Sequence, residues 1–222
     1  MSKSISKTIR DCLYGAILRR APRHVLKEEI ARRQINAARI VYGDFLDGQQ
    51  CSHEATSNPS GESGQITGEF VHAIRAVVSP SDVMLLPGER RAAREAYSQI
   101  SDIPVERILT AGLHEDMDFS WNYEHAPPTD IPKVDLIASH AMIEHLINPY
   151  RHVMDCHDLL NPGGHMIFHT VIPGFQYHRY PIDCLRFFPD WFEEIAKRLG
   201  AEVVSRSLST TAHIVYTLRK SP

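Results

Sequence analysis

The chain has 222 residues, 43% of them hydrophobic and 23% charged, with a formal net charge of −3 at pH 7. That size supports one globular domain with a sizeable core plus an appendage, and the near-neutral balance gives no reason to expect nucleic acid as a partner of the whole chain. No apolar run approaches the roughly 18–20 residues that span a bilayer, and Cys12, Cys51, Cys156 and Cys184 are too dispersed for a zinc ribbon or a disulfide scaffold, so a reducing cytoplasm is the expected compartment.

Residues 1–47 read as a basic helical extension. Up to Val41, ten Lys or Arg stand against three acids. Ile5, Ile9, Leu13 and Ile17 recur every four residues, an amphipathic stripe that suits packing on the main domain, or peripheral contact with a membrane surface or a protein. The start, MSKSISKTIR, leads into no long apolar run with a small-residue cleavage site, so it does not read as a signal peptide. Residues 48–66, GQQCSHEATSNPSGESGQI, are polar and rich in Gly and Ser. They read as a flexible linker, with a domain over 67–222.

Within that domain the pattern alternates. A helix is expected over 68–78, a strand over 82–86, a helix over 89–100 and a strand over 105–113. A strand over 134–139 then runs into one helix over 142–160. A strand over 164–171 and a helix over 189–200 follow, and strands over 201–209 and 212–220 pair at the sheet edge. This alternation predicts an α/β fold: a Rossmann-like, largely parallel sheet with helices on both faces and an antiparallel strand at the edge. Ligands in such folds lie at the carboxyl ends of the strands. A sheet edge or the N-terminal helices could each form a homodimer interface.

Four motifs follow one another in the second half. Asp135 opens a strand. Glu144-His145-Leu146 with Pro149 comes next, then Leu160-x-Pro162-Gly163-Gly164 before another strand, and then HRYPIDCLRFFP, with His178, Pro181, Asp183, Arg186 and Phe187. Pro-Gly-Gly by itself ends a helix and turns tightly, while Glu144 and His145 fall where a ligand would lie. Together, over about 134–190, these motifs resemble the class I S-adenosylmethionine-dependent methyltransferases of the Glu-His-Leu / Pro-Gly-Gly branch.

The resemblance implies S-adenosylmethionine as cofactor and a small-molecule, glycan or lipid-linked acceptor. It implies cofactor contacts from Leu86 and Gly88 in the first strand–turn–helix, from Glu115 and Asp116 toward the ribose, and from Ser139 and His140 beside the adenine or the methyl. His145, His169 and His178 become candidate bases. Glu144, Tyr177, Tyr180, Asp183 and Arg186 become acceptor contacts, Arg186 suiting an acidic or phosphorylated acceptor through a bidentate contact. The chain departs from the family at MLLPGERRAA, where one glycine replaces the usual two or three and Glu89, Arg90 and Arg91 stand in place of small residues. Trp121 and Tyr123, in WNYEH, suit a lid or a stacking wall, or a packed loop.

Seven histidines lie between 140 and 178. Imidazole suits proton transfer near neutral pH. His140 and Glu144 share a helix face if the helix starts early, and His145, His169 and His178 can converge above the sheet. No metal-binding signature appears, so no metal is assigned. Two alternatives to the methyltransferase reading are a noncatalytic methyltransferase-like subunit docking through its N-terminal helices, and a metal-dependent hydrolase or lyase using the histidine cluster.

Overall fold

The structure, a computed structural model, describes Glu29, Arg33, Ala55–Thr56 and residues 66–173, 175, 178, 182–208 and 212–222. Nearly all of the expected basic extension, and Tyr177 and Tyr180, lie outside the described residues. Glu29 and Arg33 are helical, and Arg33 Nε donates to Glu29 Oε1 at 2.8 Å. Inside the segment expected as a linker, β1 (Ala55–Thr56) pairs antiparallel with β2 (Ile66–Thr67).

From Thr67 onward the alternation becomes real structure. Thr67 caps α1 (Gly68–Val77), its hydroxyl accepting from the Phe70 amide, as a threonine at this position does. Then come β3 (Met84–Pro87), α2 (Arg94–Ser101), β4 (Ile108–Gly112) and a short β5 (Phe119–Ser120). The second half holds β6 (Val134–His140), α3 (Pro149–Leu159), β7 (Leu160–Val171), α4 (Pro189–Leu199), β8 (Glu202–Leu208) and β9 (His213–Arg219).

The main sheet has seven strands in the order β5-β4-β3-β6-β7-β9-β8. β3 pairs parallel with β4 and β6, β4 with β5, and β6 with β7. β9 runs antiparallel to both β7 and β8, so the antiparallel pair closes one edge. Both faces are covered. One apolar layer holds Phe70, Ile74, Tyr97, Leu86 and Ile167; the other holds Leu85, Trp121, Val153, Phe168, Phe192 and Tyr216. Such two-sided burial is what a mainly parallel sheet requires.

Four expected elements differ. The helix over 89–100 opens as a 3-10 turn at Arg91–Ala93 and is α-helical only from Arg94. The helix over 142–160 divides into a single 3-10 turn, Ile143–His145, and α3. Asn148 N-caps α3, accepting from the Arg151 amide, and Pro149 occupies its first turn; a residue before proline leaves the helical region. The strand expected from 105 starts at Ile108, because Val105–Arg107 form a 3-10 turn after Pro104. The strand expected from 164 begins at Leu160, with Gly163 at φ +77° inside it. The switch in β3–β6 order sets the carboxyl ends of β3, β6 and β7 side by side, which is where the fold makes a crevice.

Candidate functional site

β3 ends in Pro87 and turns at Gly88, which is exposed and has φ +85°. A Cβ there would lie 3.1 Å from Met142 Cγ, so both the backbone angle and the space favour glycine. The Gly88 amide donates to Ala111 O at 3.0 Å and to Tyr123 Oη at 2.7 Å, and the Tyr123 hydroxyl donates to Ala111 O. Tyr123 thus clasps the ends of β3 and β4. Trp121, Tyr123 and His152 pack ring to ring, with centroids 4.7–5.0 Å apart, so Trp121 and Tyr123 form a packed loop and part of the core. Over β4, a Cβ on Gly112 would approach Met117 Sδ to 2.5 Å, so that end is filled by the chain itself.

The acids expected at the β4 end separate. Glu115 is exposed, and Asp116 pairs with His114 Nδ1 at 2.7 Å, both in the turn after β4. Asp118 is drawn back to the strand: it accepts from the Thr110 amide at 2.8 Å and pairs with Arg91 and Arg94. Burial raises its carboxyl, but the hydrogen bonds from Arg94, Thr110 and Arg91 outweigh that and hold it at about 2.

Next to the Gly88 turn, three imidazoles stack across three strands. His140 ends β6 and faces His169 of β7 in register, ring centroids 4.6 Å apart and 21° from parallel. His169 stacks on His213 of β9 at the same distance and angle. Phe70 from α1 closes the row, 5.3 Å from His140 and 5.5 Å from His169. Burial pushes His169 well below the ordinary imidazole range, helped by His140 and His213, and brings His213 down to about 3. His140 Nδ1 is 3.5 Å from the buried Glu89 carboxylate, which also accepts from Tyr97 Oη. Neither nitrogen of His140 or His169 has a hydrogen-bond partner, and neither does Ser139 Oγ. Buried polar atoms are satisfied as a rule, so these orphans make the carboxyl ends of β6 and β7 a candidate site.

A second group stands on the loop after β6 and on the segment before α4. Glu144 is 0% exposed; its Oε2 accepts from Thr170 Oγ1 at 2.7 Å, while Oε1 has no hydrogen-bond partner. Its backbone carbonyl receives the amides of Cys184 and Leu185, which ties the two segments together. His178 Nε2 lies 3.9 Å from Glu144 Oε1, and its Nδ1 lies 3.4 Å from Asp183 Oδ2. His145 and His178 meet edge to face, centroids 4.8 Å apart. Arg186 grips Asp183 through both oxygens, at 2.5 and 2.8 Å, and those hydrogen bonds hold the Asp183 carboxyl at about 2. The Arg186 fork expected to face an acceptor therefore braces Asp183.

The structure thus brings together Glu144, His145, His178, Asp183 and Arg186 as one group, and Ser139, His140 and His169 as another beside Leu86 and Gly88. His169 does not join His145 and His178; the ring row passes from His213 through Phe175 to His178. His140 and Glu144 do not share a helix face, because His140 ends a strand and Glu144 lies in a 3-10 turn. Sequence reasoning missed His213, Phe70 and the burial of Glu89. The available signal for His213 was its position at the start of a strand expected to pair at the sheet edge.

No family model and no curated protein matches the sequence. Solved structures do match. The 1,6-didemethyltoxoflavin-N1-methyltransferase of Burkholderia thailandensis, with bound 1,6-didemethyltoxoflavin and S-adenosylhomocysteine, is 14% identical. The match covers 91% of each chain with a TM-score of 0.54. The CcbJ methyltransferase from Streptomyces caelestis is 10% identical over 69% of this chain and 94% of its own, with a TM-score of 0.52. The [4+2]-cyclase SpnF is 12% identical over 85% of this chain and 94% of its own, also with a TM-score of 0.52. The strand order and these likenesses agree: the chain has the fold of the class I S-adenosylmethionine-dependent methyltransferases.

Proposed function

We propose that this protein transfers a methyl group from S-adenosylmethionine to a small-molecule or glycan acceptor. The observation that carries the reading is the set of orphaned polar atoms on Ser139 and His140 beside the exposed, positive-φ Gly88 turn. These residues fit a polar ligand over the ends of β3 and β6. Leu86, Gly88, Ser139 and His140 would hold the cofactor, with Glu115 and Asp116 in the turn after β4 as the nearest acids. The cofactor supplies a methyl group on a sulfonium centre for in-line displacement.

The remaining work falls to the chain. Glu144, His145 and His178 form the acceptor end, where an oxygen or nitrogen nucleophile meets a carboxylate oxygen and two imidazoles able to take its proton. Asp183, braced by Arg186, orients His178 as a carboxylate orients an imidazole in other proton-transfer sites. The stacked His140–His169–His213 row and Phe70 form a floor beside which a bound dipole would act at low dielectric.

One observation favours a second reading, in which the fold serves another reaction or only binds: Met117 and Tyr123 fill the β4 end. The [4+2]-cyclase likeness is compatible with it. Calorimetric titration with S-adenosylmethionine and S-adenosylhomocysteine separates the two. Micromolar binding that is lost in Gly88→Trp supports methyl transfer and directs acceptor screening. No binding up to millimolar concentration overturns it in favour of the second reading.

A further inference from the structure

Glu144, His145 and His178 each offer one ligand atom, and the three atoms lie within 4.8 Å of one another. Two imidazoles and one carboxylate form a donor set for a divalent first-row cation with an open coordination position. Three features make the group more than a chance meeting. The first is an orphan: Glu144 is 0% exposed, and its Oε1 has no hydrogen-bond partner although it lies 3.9 Å from His178 Nε2. A buried carboxylate oxygen with no hydrogen bond and only an imidazole at 3.9 Å is costly, and a cation beside it would satisfy it.

The second feature is the support behind each donor. Thr170 Oγ1 holds Glu144 by its other oxygen, Asp183 Oδ2 stands 3.4 Å from His178 Nδ1, and the Ile182 carbonyl lies 2.5 Å from His145 Nδ1. An imidazole nitrogen beside a carbonyl oxygen can only donate, so the His145 lone pair sits on Nε2. Carboxylate and carbonyl groups behind the histidines are how proteins fix the tautomer and angle of metal ligands. The third feature is access: His145 and His178 are half-buried while Glu144 is fully buried, so one side of the group is open. Closing on a zinc-sized ion with bonds of about 2 Å brings tetrahedral donors to roughly 3.3 Å apart, which asks for inward shifts of about 1 Å.

We propose that Glu144, His145 and His178 bind a divalent transition-metal ion of the zinc class, with its open position facing the acceptor pocket. The site's existence does not depend on methyl transfer; its role does rest on that reading. There the ion would take an oxygen of the acceptor as its fourth ligand and lower that oxygen's pKa, as zinc does for water, so that the proton leaves to solvent and Glu144, His145 and His178 act as ligands in place of bases.

The test uses the full-length protein, stripped with chelator and titrated with zinc chloride against a chromogenic chelator, then with cobalt chloride by visible absorption. The expected result is one equivalent bound at micromolar affinity or tighter, with intense cobalt bands of a four-coordinate site. Affinity falls at least 100-fold in His178→Ala and in Glu144→Gln, and 10- to 100-fold in Asp183→Asn. Because Glu144 is buried, half-buried His145→Ala serves as a second ligand variant, and circular dichroism identifies any variant that has failed to fold. His114→Ala, outside the group, keeps full affinity. Absence of binding, or one equivalent of zinc retained with unchanged affinity in folded His145→Ala and His178→Ala, overturns the site. The readout needs no cofactor, so it fails or succeeds separately from the S-adenosylmethionine titration.

Discussion

Tyr123 Oη sits 2.7 Å from the Gly88 amide although 35 residues separate the two. With the Ala111 carbonyl it joins the carboxyl ends of two parallel strands where the Gly88 turn begins. Tyr123→Phe keeps the ring against Trp121 and His152 and removes only the hydroxyl. Two hydrogen bonds of the hydroxyl are lost, but the Gly88 amide and Ala111 O keep each other and neither is left unpaired, so the expected loss is about 1–2 kcal/mol, measured as a lower urea midpoint with an unchanged slope.

Gly88 carries its own constraint. At φ +85°, with Met142 Cγ only 3.1 Å from a Cβ, Gly88→Val meets both a disfavoured backbone region and a steric contact. A destabilisation of about 1–2 kcal/mol from the backbone alone is expected, and S-adenosylmethionine binding should weaken at least tenfold by calorimetry. Unchanged stability would contradict the observed turn.

Asp118 couples stability to acid. Its folded carboxyl is held at about 2, below the unfolded value near 3.9, so its contribution is fully present above pH 4–5 and is lost as pH falls toward 2. Roughly 1–2 kcal/mol should disappear over that window. Asp118→Asn should lose most of this at pH 7 and differ little from wild type near pH 2, by thermal or urea unfolding at each pH.

His152 works in the same direction at higher pH. It is wholly buried between Trp121 and Tyr123, and burial lowers its folded value to about 3 from 6.5. A depressed imidazole stays neutral in the folded protein and protonates on unfolding. Its stabilising effect is therefore complete above about pH 6.5 and erodes as pH falls to 3. In His152→Phe the slope of stability against pH between 6 and 4 should be shallower by about 1.4 kcal/mol per pH unit. His169 and His213, also lowered by burial, add slope of the same sign.

The sequence by itself determined the α/β alternation and the two-sided burial, because apolar period, proline and glycine act over a few residues. Glu144, His145, His178, Asp183 and Arg186 came together, since their motifs are close in the chain and Glu144 O bonds directly to Cys184 and Leu185, whereas Pro162-Gly163-Gly164, expected as a turn between helix and strand, lies inside β7 with Gly163 at φ +77°. Only the tertiary structure decided the rest. His213 reached His169 because β9 inserts antiparallel between β7 and β8, a register that no local pattern encodes. Arg186 spent its fork on Asp183, and Tyr123 took the Gly88 amide, because long side chains choose partners among whatever packing brings within 3 Å. Local chemistry specifies elements; distances between atoms far apart in the chain, and hence which polar groups are satisfied and which are left for a ligand, follow from how those elements stack.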